Sequence, residues 1–407
     1  MAMIAVKAAL LLASATAAAA QGQDPWRIDS IRRLPRPGYE IGRWQIGSTA
    51  LLPSLSVGVS HDSNVFATSA ATVGDTAFDV RPRIDIERRG SDLEISADVY
   101  ADGRFLAEQT TENGVAFGIG AGGRYTADSR SRLSASLRFD RNFQRRSDPE
   151  ANPQLLEPAR FNTLSAEVGY GFTGNRFGFN VSGSVQQVDF LAIEEDDRDL
   201  LTWRAPIRLS FVPSAGVGIY VEPYVNYRDA RLPVDRFGFD RDALTYGILA
   251  GVSFDVTARL RGELGAGGFR SDPGDPRLDS FSGLALNGRL TWSPDERALV
   301  TFSAFNGDVA TIQAGANGRI DTRLQLRWDQ EVRHNLLFNM GLGYRRTSYR
   351  GNLQRRLRVL SVDAEIEYLL SRTLSVFLNA AHESRDANDA RDRFERTTAG
   401  IGIRVRI

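Results

Sequence analysis

Ala399-Gly400-Ile401-Gly402-Ile403-Arg404-Val405-Arg406-Ile407 puts an apolar side chain at every odd position and glycine or arginine at every even one. Successive strand residues face opposite sides, so this stretch reads as a strand with one greasy face and one polar face. The same alternation recurs from about residue 54 onward, in stretches separated by connections that are alternately short and long. A soluble sheet this long needs a second layer over its apolar side, and no segment has helical periodicity long enough to supply one. A closed barrel with lipid outside and water inside satisfies the pattern alone. The expected fold is all-β, a transmembrane antiparallel up-and-down β-barrel of a bacterial outer membrane.

The strand count follows from the connections. Short ones stand at Arg89-Gly90-Ser91, Asp128-Ser129-Arg130, Gly174-Asn175-Arg176, Ser214-Ala215-Gly216, Thr257-Ala258, Ser293-Pro294-Asp295-Glu296, Glu331-Val332-Arg333-His334 and Ser371-Arg372. Longer polar stretches lie at about 62–75, 107–113, 145–160, 190–199, 229–241, 271–279, 308–317, 348–355 and 385–394. Eight short turns and nine long loops join 18 strands with both ends on the short-turn side, the layout of a bacterial outer-membrane barrel. Strand ends are read only to within a few residues, which leaves 16 as the alternative count. A propeller with a period near 40 residues would need four strands and a recurring motif per unit, and each period holds two strands and no such motif.

The faces divide strand by strand. Phe78, Val80, Ile84 and Ile86 alternate with Asp79, Arg81, Arg83, Asp85 and Glu87; Leu133, Ala135, Leu137 and Phe139 alternate with Ser134, Ser136, Arg138 and Asp140. Ile320, Leu324, Leu326 and Trp328 alternate with Arg319, Asp321, Arg323, Gln325, Arg327 and Asp329. Arginine on the lipid side near midplane costs roughly 2–4 kcal/mol, so the charged sets are assigned to the lumen. The candidate lumen-lining residues are Arg81, Arg83, Asp85, Arg138, Asp140, Tyr220, Glu222, Tyr224, Arg319, Asp321, Arg323 and Arg327. Tyr170, Phe172, Phe177, Trp203, Phe211, Trp292, Trp328, Tyr344 and Tyr368 are assigned to interfacial girdles on the apolar face.

Lys7, the apolar run Ala8–Ala13 and Ala18-Ala19-Ala20 read as a secretory signal over residues 1–20, cleaved before Gln21. Residues 21–50 are expected to form a periplasmic N-terminal segment, which either straps the lumen or trails as a tail, and 51–407 the barrel. The chain has no cysteine, so disulfides and thiolate metal sites are excluded. Its 50 basic residues balance 50 acidic ones, which gives no electrostatic footprint for nucleic acid.

Residues Ile46 to Thr68, with Ser48, Pro53 and then Asp62-x-Asn64-Val65-Phe66, resemble the opening of the putative β-barrel porin 2 family. The family usually has tyrosine before the aspartate, where this chain has His61, and Arg32-Arg33-Leu34-Pro35-Arg36-Pro37-Gly38-Tyr39 is similar to its leader. Asp62, Asn64 and Phe66 are the family-motif residues. The resemblance implies an outer-membrane barrel, and for some members an exit for exopolysaccharide; the alternation of residues implies only the barrel.

Chemical motifs are few. His61-Asp62-Ser63 cannot converge on a regular strand, because neighbours point to opposite faces. His382 and Ser384 share a face and resemble the pair of lipid A deacylase barrels, but Glu383 and Arg385 stand where that family has other residues. A polar rim is the plainer account. Glu194-Glu195-Asp196-Asp197 and Asp199 lack calcium-loop spacing and read as a solvated outer loop. Asp62 and Asn64 read as an Asx turn closing the first strand.

The expected protein is thus a conduit without catalysis or cofactor. Its expected partners are outer-membrane lipid and lipopolysaccharide, the barrel-assembly machinery, an exported polysaccharide and periplasmic export components. A diffusion porin for small solutes, a sealed structural barrel and a lipid-modifying enzyme are the alternatives.

Overall fold

Leucine, isoleucine and phenylalanine rows on one side of each strand set the architecture, because they need an apolar surround that no helix among the described residues offers. The computed structural model describes residues 31, 34, 36–40 and 42–407, apart from 153, 154, 258, 312, 314, 315 and 352. The expected signal segment lies outside the described residues, as do residues 21–30. The strands are β1 Trp44–Ile46, β2 Thr49–Asp62, β3 Asp75–Arg89, β4 Leu93–Leu106, β5 Gly114–Thr126, β6 Ser131–Phe143, β7 Arg160–Thr173, β8 Phe177–Phe190, β9 Leu200–Ser214 and β10 Val217–Ala230. They continue as β11 Ala243–Thr257, β12 Leu260–Pro273, β13 Phe281–Trp292, β14 Ala298–Val309, β15 Ala316–Arg333, β16 Leu336–Gly351, β17 Arg356–Leu369, β18 Leu374–Ala387 and β19 Phe394–Arg406.

From β2 to β19 each strand pairs antiparallel with the next, and β19 pairs back onto β2 from Thr398↔Asp62 to Arg406↔Ser54. The result is a closed barrel of 18 strands, in which every strand has a neighbour on both sides. The connections fall within a few residues of where the alternation of polar and apolar runs places them, but β15 runs on to Arg333, and β16 to Gly351, which leaves only 352–355 of the loop expected at 348–355. In the turn after Ser214 the chain reverses through Gly216 at φ 77°, a left-handed backbone that glycine adopts without a Cβ clash. The tiny strand β1 pairs with β2 below Ser54, in the place along the ladder that β19 leaves vacant.

The outside of the wall is apolar. Val168, Leu209, Leu284 and Leu360 are 57–61 % exposed, an arrangement that water would not tolerate over a whole surface and lipid does. Phe177, Trp203, Trp292, Trp328 and Tyr368 stand exposed on this face near strand ends, as interfacial girdles do. Tyr344 is the exception: it sits mid-strand, opposite Leu324 and Leu360.

One wall departs from the simple cylinder. The β13–β14 ladder stops at Leu286↔Asn306, although both strands run on toward the long-loop end. Freed there, the end of the β14–β15 hairpin leans inward over β10–β13. Ile320, expected on the lipid face, is 7 % exposed and packs with Leu249, Phe269 and Ala285, whose strand neighbours Ile248 and Leu284 face outward. Asp308, on the same side of the hairpin, meets Arg228 at 2.6 Å and accepts from Thr245 Oγ1 at 2.8 Å. Period-two reasoning fails at Ile320 because the strand has left the plane that defines inside and outside.

Candidate functional site

The inner face is identified by contacts that skip a strand, which only the concave side of a curved sheet permits. Tyr100 on β4 donates to Asp140 on β6 at 2.8 Å, and Arg138 on β6 reaches Asp98 on β4 at 3.0 Å. Arg208 on β9 spans Glu222 on β10 at 2.6 Å and Glu263 on β12 at 2.9 Å. Small residues make these reaches feasible. A Cβ at Gly118 would fall 2.6 Å from the Tyr100 ring, and one at Gly251 would fall 2.5 Å from the Tyr220 ring.

Ten of the twelve candidate residues stand in ion pairs with neighbouring side chains. Arg81 pairs with Asp102 at 3.1 Å, Arg83 with Asp85 at 2.8 Å and Arg138 with Asp140 at 2.8 Å. Tyr220, 5 % exposed, lies under the Arg208 guanidinium at 4.1 Å from the ring centroid, and Tyr224 has Arg204 at 5.1 Å. Asp321 is wholly buried among Arg319, Arg323 and Arg345, at 3.3, 2.7 and 3.5 Å. Arg327 pairs with Asp329 at 3.1 Å. The balance of charge is therefore local, residue against residue, and leaves the inner surface dense in donors and acceptors.

The family-motif residues build the seam. Asp62, fully buried, accepts from the Asn64 amide at 3.1 Å, which is the expected Asx turn. It also accepts Arg396 Nε of β19 at 3.0 Å and Arg104 Nη2 of β4 at 2.9 Å. Asn64 donates to the carbonyls of Thr68 at 2.8 Å and Glu395 at 2.9 Å, and Phe66 packs on Val65, Ala77 and Leu106. These two polar residues fasten the first strand to the last. At the short-turn end Arg404 of β19 crosses the seam by donating from Nε to Ser56 Oγ of β2 at 3.0 Å, while Glu367 of β17 accepts from Arg404 at 2.7 Å and Arg406 at 2.6 Å.

The long-loop mouth holds what the alternation could not show. Connection 144–159, between β6 and β7, is tied to its own side by Arg146, which grips the Glu112 carboxylate at 2.6 and 3.0 Å, and by Asn152, which donates to Glu195 at 3.0 Å. Its tip crosses the mouth. Glu150 accepts from Arg319 of β15 at 3.1 Å and from Thr311 at 2.5 Å. Arg355 donates to the Pro149 carbonyl at 2.8 Å, and Arg385 of β18 to the Ser147 carbonyl at 3.2 Å. β15 is nine strands round from β6, hence on the opposite wall of an 18-strand ring. Arg145, at the root of the tip, is pushed down to about 10 by burial, with Arg396 and Arg104 adding like charge.

The remaining readings resolve simply. The acidic stretch 194–199 is folded, not solvated. Glu195 is held by Arg198 at 2.5 Å and Asp199 by Arg231 at 2.7 Å, while Asp197 is gripped by Arg236. Among the described residues no cluster of histidine and carboxylate is arranged for a metal. His382 faces outward and meets Thr397 Oγ1 at 2.9 Å, with no carboxylate behind it. At the short-turn end Arg36 is 2 % exposed and donates to Glu331 of β15 at 2.9 Å, so this part of the leader is docked inside.

A family model described as "Putative beta-barrel porin 2" matches residues 36–407. No curated protein matches the chain. Among solved structures, the apo FrpB iron transporter of Neisseria meningitidis has a TM-score of 0.45 at 8% identity, over 82% of this chain and 62% of that one. The chain thus spans less than two thirds of the iron transporter's length. The siderophore receptor PirA of Pseudomonas aeruginosa gives 0.44 at 8% identity, covering 88% and 80%. OpdL of Pseudomonas aeruginosa gives 0.42 at 10% identity, covering 89% of this chain and 100% of that one.

Proposed function

Given that the chain belongs to the putative β-barrel porin 2 family and is an outer-membrane β-barrel porin, we propose that it carries an extracellular polysaccharide outward across that membrane. The observation that supports this reading best is the inner face. A sugar chain presents hydroxyls, so its passage needs many hydrated partners and no deep trap. Residues such as Arg83 and Asp85 on β3, Arg327 on β15 and Arg345 on β16, with Ser361, Asp363 and Asn379 on β17 and β18, offer that mixture of partners. The barrel is wide enough for an aqueous passage once the mouth is clear. Cargo would enter from periplasmic export components at the short-turn end, beside the docked Arg36. Deleting the gene should remove surface polysaccharide and leave uptake of small sugars and amino acids intact. Normal polysaccharide with impaired uptake would instead make this a diffusion porin.

A sealed structural barrel is the second reading, and the crossing tip at Glu150 favours it. Solute flux into liposomes separates the two once the tip is removed, since a sealed barrel would stay closed.

A further inference from the structure

The tip of connection 144–159 touches the opposite wall only through acceptor oxygens in the bonds described above: the Glu150 carboxylate and the Pro149 and Ser147 carbonyls. The wall answers with donors from separate elements. Arg319 comes from β15, Thr311 from the preceding connection, Arg355 from the connection before β17, and Arg385 from β18. Each arginine is braced from behind, two of them by Asp392. Arg355 holds both carboxylate oxygens of Asp392 at 2.7 Å, Arg385 donates to the Asp392 carbonyl at 2.5 Å, and Arg319 leans on Asp321 at 3.3 Å. The rings of Tyr349 and Phe394 lie beneath Arg355 and Arg385, with guanidinium carbons 5.4 and 4.4 Å from the centroids. The donors are thus fixed before anything binds, which is how a built recognition surface differs from mobile surface charge.

We propose that Arg319, Arg355 and Arg385 form a seat for a carboxylate-bearing polysaccharide, and that the 147–150 tip occupies it as an internal stand-in. This rests on the export reading and adds the cargo's charge. An acidic sugar polymer presents what the tip presents, a carboxylate flanked by neutral oxygens at intervals along a chain. Because the seat draws on three elements, a chain satisfies it better than a lone anion. Arriving polymer displaces Glu150 and takes over its charge-assisted bonds, and the mouth opens as it is filled. The strength of the exchange should fall with salt, since a charged polymer approaches the three arginines through solvent before it displaces the tip.

The test uses the full chain purified in detergent, with anisotropy of labelled oligogalacturonate as the readout and labelled neutral dextran oligomers and free galacturonate as comparisons. Glu150→Gln keeps the tip's shape and should raise affinity for oligogalacturonate about tenfold, the equivalent of one charge-assisted hydrogen bond of competition removed. A variant with residues 147–151 replaced by glycine should gain at least as much. Adding Arg319→Gln, Arg355→Gln and Arg385→Gln to either should abolish the gain, with heat-modifiable gel mobility confirming that the barrel is intact. Equal gains for dextran, equal affinity in wild type and tip variants, or binding of free galacturonate as tight as that of the oligomer would each overturn the proposal. An oligogalacturonate-specific gain in a protein whose deletion leaves surface polysaccharide unchanged would keep the seat and remove the export reading.

Discussion

Asp62 has more partners than its place in the sequence suggests. Its Asx turn with Asn64 is a local bond that an Asp-x-Asn spelling announces, and it was legible for that reason. Its arginines were not, because Arg396 stands 334 residues away and only closure of the ring brings it near. Removing the carboxylate leaves two partly buried guanidiniums facing each other, so Asp62→Ala should cost about 3–5 kcal/mol in urea unfolding from detergent micelles. Asp62→Asn should cost less, and an unchanged midpoint in both would show that the seam does not depend on this residue. Leu326 and Arg327 test the faces directly. Leu326 is 37 % exposed on the outside, opposite Phe302 and Leu342, whereas Arg327 pairs inward with Asp329. Leu326→Arg should lose roughly 2–4 kcal/mol, and Arg327→Leu clearly less. Equal losses would mean that the strand's register is off by one residue.

Among the elements, strands were legible and the ends of hairpins were not. A strand's inside and outside are written every second residue, so all 18 barrel strands and their turns could be placed from alternation. The lean of β14–β15 depends on where pairing with β13 stops, a property of two strands together. The crossing of 144–159 rests on partners such as Thr311, 161 residues from Glu150, and no local pattern records them. The folding of 194–199 is hidden likewise, since two of its three arginines, Arg231 and Arg236, come from another loop. Sidedness follows from loop length. Cysteine at Ile193, 79 % exposed in a long loop, should react with impermeant maleimide on intact cells, and cysteine at Asn175 in a short turn should not. The loop cross-tie between Asp197 and Arg236 has a definite pH window. Burial alone would raise Asp197, but hydrogen bonds and charge from Arg236 prevail and hold it below its usual 3.8. Its stabilising effect is present above about pH 4 and is lost as the pH falls through the lowered value. Pepsin should accordingly nick 191–199 in the purified barrel only at the acid end of its range, and uniform nicking up to pH 5 would contradict the tie.

For the whole molecule, two segments stand in the way of passage: the docked Arg36 of the leader at the short-turn end and the 147–150 tip at the long-loop mouth. In planar bilayers the wild-type protein should carry little current, and replacing residues 147–151 with glycine should raise it several-fold. No change in current would place the main obstruction elsewhere, at the inward β14–β15 hairpin or the leader. The seam has a further consequence, in the order of assembly. Every neighbouring pair of strands can zip as soon as its hairpin exists, but β2 must wait for β19, across the longest loop that the chain can close. Until then both strands present bare backbone edges, the kind that recruit foreign strands. Asp62, Arg396, Arg404 and Arg406 all point from those edges toward the future lumen. Asp62 can meet Arg104 of β4, and Arg404 and Arg406 can meet Glu367 of β17, within consecutive strands; the Asp62–Arg396 pair must wait for closure, and it becomes the clasp. The Asp62–Arg396 pair is thus a mark of completed closure, absent from any half-made barrel.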